Sequence, residues 1–203
     1  MSTVSSPRRR ADAERNIARI VAAARTALGS DPDATTDEIA KAAGVGRMTL
    51  YGHFRTRPEL VEAALVEALR VGEDALAAVD LTGDARDALA RLLDSSWTLV
   101  AESATLATAA HGVLPAGRVR ELHGAAAGRI HDLISRGQSQ GVFRTDLPIS
   151  WLVDVVHHVL HGAADDIRAG RLEKSDANHV VTATVQSILA APTSNPPRQV
   201  TTT

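Results

Sequence analysis

Between Thr35 and Arg57 the chain reads TTDEIAKAAGVGRMTLYGHFRTR, and its apolar positions fall into two short helical registers either side of Ala43-Gly44-Val45. Ile39, Ala42 and Ala43 make one stripe, and Leu50 and Phe54, at i and i+4, make a second. Gly44 permits the tight left-handed turn that lets the stripes face each other, which predicts a helix-turn-helix. The outward side of its second helix then carries Arg47, Met48, Thr49, Tyr51 and His53, a set that includes donors for phosphate oxygens and base edges in a major groove. Thr35 with Glu38, and Thr56 with Glu59, have capping-box spacing and fix two helix starts. Pro58 falls where a missing N–H costs nothing, so a third helix leaves near Arg57 and runs through Leu60, Ala64 and Leu65. Upstream, Ile17, Ile20, Val21, Ala24 and Leu28 recur at helical spacing and predict an amphipathic lid helix over residues 11–28.

From Leu60 onward the pattern stays helical, with no period-2 alternation, so the fold class is all-α. Gly and Pro breaks divide this part into helices near 58–79, 84–102, 104–113, 116–139, 148–169 and 174–190. The organisation expected is a flexible basic arm at 1–10 and a three-helix domain at 11–57. A larger helical domain for effector binding and dimerisation follows at 58–190, and a disordered, proline-bearing tail at 191–203. Arg8-Arg9-Arg10 in the arm could follow a phosphate backbone or simply be solvated. Leu152, Val155, Val156, Val159, Leu160 and Ala163, with Val181, Val185, Ile188 and Leu189, form apolar faces suited to a homodimer; the other reading is that they close the protomer's own core.

Composition narrows the classes. The chain has 203 residues and no cysteine, which excludes disulfides and thiolate sites. No stretch reaches the roughly 18 apolar residues of a membrane span and no leader pattern opens the chain, so a cytoplasmic protein is expected. A net charge of −2 hides an asymmetry: residues 1–57 hold ten Lys/Arg against six Asp/Glu, whereas the remainder holds twelve against eighteen. The positive end suits a polyanion. No Gly-rich phosphate loop, G-x-S-x-G elbow or H-E-x-x-H is present, so no enzyme and no cofactor is expected.

The order of a lid helix, ATTDEIAKAAGVGRMTLYGHF, and RPEL opening a longer helix resembles the N-terminal DNA-binding domain of the tetracycline-repressor (TetR) family, over residues 11 to about 70. The resemblance implies a homodimeric regulator on double-stranded DNA, most often a repressor released from a near-palindromic operator by a small-molecule effector. It implies that Thr36, Tyr51, His53 and Arg57 hold phosphates and that Arg47, Met48 and Thr49 face bases. Two positions depart from the family pattern. Gly46 stands where a capping side chain usually opens the recognition helix, and Gly52 replaces a residue that often reaches the groove. Arg47 is then the leading base reader, through guanine O6 and N7, with a phosphate contact as its alternative. Asp37 should point away from the DNA backbone.

The effector is less legible. Proteins of this resemblance enclose an apolar cavity between helices of the larger domain, and the scarce bulky residues suggest Trp97, His123 and Trp151 as its lining, with an apolar or aromatic ligand. The tryptophans could equally be core filler. Asp154, His158, His161 and Asp165, with His157 beside them, share one helix face and could hold a metal in a metal-responsive regulator, or form a polar stripe. A helical interaction module without DNA binding is the remaining alternative.

Overall fold

A computed structural model describes residues 7–192. Among them are nine helices: α1 (Pro7–Ser30), α2 (Thr36–Ala42), α3 (Arg47–His53), α4 (Arg57–Leu76), α5 (Ala85–Val113), α6 (Ala116–Leu122), α7 (Gly124–Ser139), α8 (Ile149–Arg168) and α9 (Lys174–Leu189). The only extended pairing described is an isolated antiparallel bridge between Phe143 and Ala190. No helix among the described residues is long and apolar enough to cross a membrane.

Two apolar clusters organise these helices. The first joins Ile20, Ala24 and Leu28 of α1 to Ile39, Ala40 and Ala43, to Leu50 of α3 and to Leu60, Val61, Ala64 and Leu65 of α4. It also takes in Leu106, Ala109 and Ala110 from the far end of α5, and Val119 of α6. The second gathers Leu76, Leu89, Leu92, Leu93 and Trp97 with Ile130, Leu133 and Ile134 of α7, Phe143, and the inner faces of α8 and α9. The helix-turn-helix core therefore does not end near residue 57: α4 and α5 each contribute to both clusters.

Local signals explain most boundaries. Thr35 accepts from the Glu38 N–H while Glu38 accepts from the Thr35 N–H, closing the capping box. Thr56 accepts from the Glu59 N–H, but the Glu59 carboxylate takes the Arg55 N–H at 2.8 Å, so the second pair is a half box. Gly44 sits at φ 63°, the left-handed conformation that favours glycine, and so forms the tight turn between α2 and α3. In α2 the buried positions are Ile39 and Ala40, followed by Ala43, while Ala42 faces solvent, one position off the expected stripe.

Several elements differ from the sequence expectation. Helix α1 begins at Pro7, so Arg8, Arg9 and Arg10 lie on its opening turns and not in an arm; residues 1–6 and 193–203 lie outside the described residues. The segments expected at 84–102 and 104–113 are one helix of 29 residues. Its interior has no Pro or Gly before Gly112, and Ser103 returns its hydroxyl proton to Leu99 O at 2.7 Å, so no polar group competes with the helix there. The segment expected at 116–139 divides at His123, whose φ of −83° and ψ of 5° leave the helical region. Of the residues expected on a dimer face, Leu152, Val156, Leu160, Val181, Val185 and Leu189 are buried inside the protomer, whereas Val155, Val159, Ala163 and Ile188 stay half-buried.

One packing detail holds the second cluster shut. Gly137 is buried on α7 under the Phe143 ring, and a Cβ at that position would lie 2.0 Å from the ring. Gly137→Ala should therefore destabilise the protein by about 1–3 kcal/mol of overpacking, despite alanine's better helix propensity. A urea or thermal melt checks this, and unchanged or raised stability would contradict it.

Candidate nucleic-acid interface and effector cavity

Helix α3 is anchored by Leu50, which is buried, and by half-buried Phe54 just beyond its end. The opposite side is open: Met48 is 84% exposed, Arg47, Thr49 and Gly52 are exposed, and a Cβ on Gly52 would meet nothing within 4 Å. Gly46 opens the helix with no side-chain cap, so the first N–H groups of α3 lack an intrachain side-chain acceptor. Beside them, Thr36 and Tyr51 share a hydroxyl–hydroxyl bond of 3.0 Å across α2 and α3. The Arg47 guanidinium lies 5.6 Å from the Tyr51 ring centroid and donates to Asp37 at 2.9 Å. Asp37 thus holds the foremost base-reading candidate in place when no DNA is present.

The remaining two expected DNA residues sit differently. His53, half-buried in the last turn of α3, borders a shallow groove with Val21, Phe54, Glu59 and Glu62. Arg57 does not stand free: its guanidinium donates to the carbonyl oxygens of Ala34 and of Pro32, the latter at 2.7 Å. It ties the α1–α2 loop to the start of α4, which holds α2 and its Thr36 in register. Sequence reasoning missed Arg19, whose Nη2 donates to Ala43 O at 2.7 Å and so closes the end of α2. Its partner is 24 residues away, and no local pattern announces such a bond.

Helix α4 is fastened to the larger domain by two ion pairs. Arg118 of α6 donates to Glu62 through Nε and Nη2, at 2.8 and 2.6 Å, and Arg129 of α7 pairs with Glu73. Neither pair has a local sequence signature, since each joins residues 56 apart.

Between the two apolar clusters lies a cavity of about 480 Å³. Its walls come from α1 (Arg25, Gly29), α4 (Leu69, Gly72, Glu73), α5 (Leu92, Leu99, Ser103), α7 (Arg129, Ile130) and α8 (His157, Leu160, His161), with His123 at the α6–α7 junction. His123 lies on the cavity wall. The two tryptophans do not: Trp97 is buried in the second cluster, and Trp151 is 56% exposed on the outer side of α8. The helical phase of α8 explains the outcome, since Leu152, Val156 and Leu160 take its inward face and turn Trp151 out.

The same phase splits the aspartate–histidine stripe. Asp154, His158 and Asp165 face outward, whereas His157 and His161 face the cavity. Among the described residues, no group of three His, Asp or Glu side chains is arranged to hold a metal ion. Burial pushes the His161 imidazole down to about 4, with repulsion from His123, His157 and His111 adding to it and Asp165 opposing. Burial likewise lowers His157, again with repulsion from His123. The His123 and His161 rings meet edge to face, 6.2 Å between centroids.

Comparisons place this geometry among known proteins. Residues 19–64 match the model of the tetR family of bacterial regulatory proteins. The chain is similar to the HTH-type transcriptional regulator NfxB of Pseudomonas aeruginosa, 28% identical over 187 residues that span 89% of this chain and 95% of that one. Its fold is similar to that of a TetR-family transcriptional regulator from Agrobacterium tumefaciens, at 18% identity, a TM-score of 0.70, and coverage of 88% and 100%. It is also similar to the TetR-like regulator LfrR from Mycobacterium smegmatis, at 20% identity, a TM-score of 0.68, and coverage of 87% and 97%. Residues 19–64 thus match the helix-turn-helix DNA-binding domain of the tetR family of bacterial regulatory proteins, and over most of its length the chain shares the fold of TetR-family regulators.

Proposed function

We propose that this protein is a homodimeric, cytoplasmic repressor that grips a near-palindromic operator with α3 of each copy and lets go when a small, mostly apolar molecule fills the cavity. The single observation that carries the DNA half is the exposure of the α3 face, with Met48 at 84% beside Arg47 and Thr49. Arg47, Met48 and Thr49 meet base edges in this reading, and Thr36 and Tyr51 hold a phosphate through their paired hydroxyls. His53 takes a neighbouring phosphate, and Arg57 acts by bracing the loop that carries Thr36. Dimerisation follows from the outer faces of α8 and α9, where Trp151 and Val180 are exposed beside Gly162 and Ala183. A twofold axis there puts two recognition helices on successive turns of DNA, roughly 34–36 Å apart.

The cavity supports the effector half. It has a volume within the range typical of small-molecule sites and mostly apolar walls, and it touches α1 and α4, the helices on which α2 and α3 are mounted. LfrR, of similar fold, was crystallised in complex with proflavine, which agrees with a small-molecule effector for this chain as well. A ligand that prefers one arrangement of α4 shifts the balance of DNA-competent and incompetent dimers by no more than its differential affinity.

Fluorescence anisotropy on operator DNA recovered from the chain's own promoter region tests the reading. Arg47→Ala should relax preference at one base pair by about 1–3 kcal/mol, the value of a bidentate guanine contact. Arg57→Ala should instead weaken all sequences alike and lower the melting temperature. Loss of preference spread over every position in Arg47→Ala would contradict the assignment. A saturating effector should lower operator affinity by about 5–150-fold, and equal affinity with and without it would remove the coupling. Trp151→Glu should convert the dimer to a folded monomer in sedimentation equilibrium; an unchanged dimer would place the twofold axis elsewhere.

A further inference from the structure

The ionisable groups on the cavity wall are of unequal sign. Among the described residues, Arg25, Arg129, His123, His157 and His161 can each carry only a positive charge, and Glu73 alone can carry a negative one. Glu73 is already engaged, by Nη2 of Arg129. Even so it does not satisfy that guanidinium, whose Nε is buried without an acceptor among the described residues. Arg25 is half-buried and, among the described residues, donates to no acceptor and pairs with no carboxylate. The acidic side chain whose charge it touches, Glu67, is occupied elsewhere. Both Glu67 oxygens accept from Arg70, at 2.9 Å each, and those bonds are the largest cause of its lowered pKa, with the field of Arg25 the smallest.

The other polar groups on the wall do not offset this surplus. The hydroxyls of Ser96 and Ser103 donate to Leu92 O and Leu99 O, each at 2.7 Å, and so turn only lone pairs toward a ligand. Burial holds His157 and His161 toward their neutral forms, with repulsion from His123 adding to it. Nδ1 of His123 donates to Val119 O at 2.8 Å. The wall therefore sets two guanidiniums against one carboxylate in a chamber that is otherwise mostly apolar. A half-buried guanidinium without a counter-ion carries an unmet electrostatic demand, which an entering anion meets with charge-assisted hydrogen bonds. A cation would face two like charges and a carboxylate already paired, and an uncharged molecule would leave the surplus as it is.

Resting on the reading of this cavity as the effector site, we propose that the effector is an amphipathic monoanion, a carboxylate on an apolar body, and that Arg25 recognises its charge. The planar carboxylate matches the fork of the guanidinium, and the body lies along Leu69, Leu92, Leu99 and Ile130. Arg25 stands on α1 next to Ala24, which packs with Leu28 in the cluster that holds Leu50 of α3. Recognition of the anion thus falls on a helix of the DNA-binding domain itself, beside the wall that α4 provides.

Calorimetric binding of three planar, nearly isosteric probes to the full chain tests this: para-butylbenzoate as the anion, para-butylbenzamide as the uncharged form, and para-butylbenzamidine, protonated at neutral pH, as the cation. The benzoate should bind about tenfold more tightly than the benzamide, the difference expected between charge-assisted and neutral hydrogen bonds, and the benzamidine should bind most weakly. Arg25→Met should bring benzoate and benzamide to within about twofold of each other by weakening the benzoate alone. Benzamide binding as tightly as benzoate in the wild-type chain, tightest binding of benzamidine, or a benzoate preference that survives in a folded Arg25→Met variant would each overturn the proposal. If Arg25→Met does not fold, the wild-type ranking of the three probes decides alone. Gly72→Leu separates this failure from failure of the underlying reading: a Cβ at Gly72 meets nothing closer than 3.9 Å, so the larger side chain can fill the cavity. Probes that bind without the expected ranking and are lost in Gly72→Leu would leave the cavity as the site and sink only the ligand class. Binding that is indifferent to Gly72→Leu, or no binding by any probe, would sink both.

Discussion

Helix α4 cannot move without consequences at both ends of the molecule. Its first half, through Leu60, Val61, Ala64 and Leu65, packs in the cluster that holds α2 and α3, and its second half, through Leu69, Gly72 and Glu73, walls the cavity. Close-packed interiors transmit displacement, so an object that enters the cavity must either fit the space already there or push on the mount of the recognition helix. The ion pairs Glu62–Arg118 and Glu73–Arg129 add directional ties from α4 to α6 and α7. Both involve partly exposed side chains, so their value lies more in fixing register than in stability. This shared helix is what makes one physical account of DNA binding and effector sensing possible.

On the DNA side, the arrangement trades rigidity for readiness. Arg47 is held by Asp37 and rests against Tyr51, both exposed contacts that water and phosphate can replace at small cost. Gly46 and Gly52 leave the open face of α3 spare, with Arg47, Met48 and Thr49 as its exposed side chains. Bracing comes from behind: Arg19 closes α2, and Arg57 ties the loop before it. Neither arginine needs to touch DNA for its loss to be felt there.

The helix-turn-helix was legible in the sequence because each of its determinants is local. Gly44 marks the turn, Thr35 with Glu38 marks a start, and Leu50 with Phe54 marks the buried side of α3. The larger domain was legible as all-α, but not in its detail. The segments expected at 84–102 and 104–113 run on as one helix, with the Ser103 hydroxyl bonded back to Leu99 O, while the segment expected at 116–139 divides at His123, whose ψ of 5° leaves the helical region. The tryptophans misled because bulk alone does not say which way a side chain faces. The phase of α8 was fixed by Leu152, Val156 and Leu160, and with it the outward turn of Trp151 and the inward turn of His157 and His161. Partners 56 residues apart, such as Arg129 and Glu73, have no signature in one sequence.

The absence of cysteine from the chain makes the most direct measurement clean, since a single Lys41→Cys at an exposed position beside α3 gives one spin label per protomer. Pulsed dipolar spectroscopy then reads the separation of the two DNA-binding units, with the cavity empty and with it saturated by a small-molecule effector. A distance distribution that shifts on saturation, in step with release of operator DNA, is the result this account predicts. An unchanged distribution while DNA is released would contradict the transmission through α4.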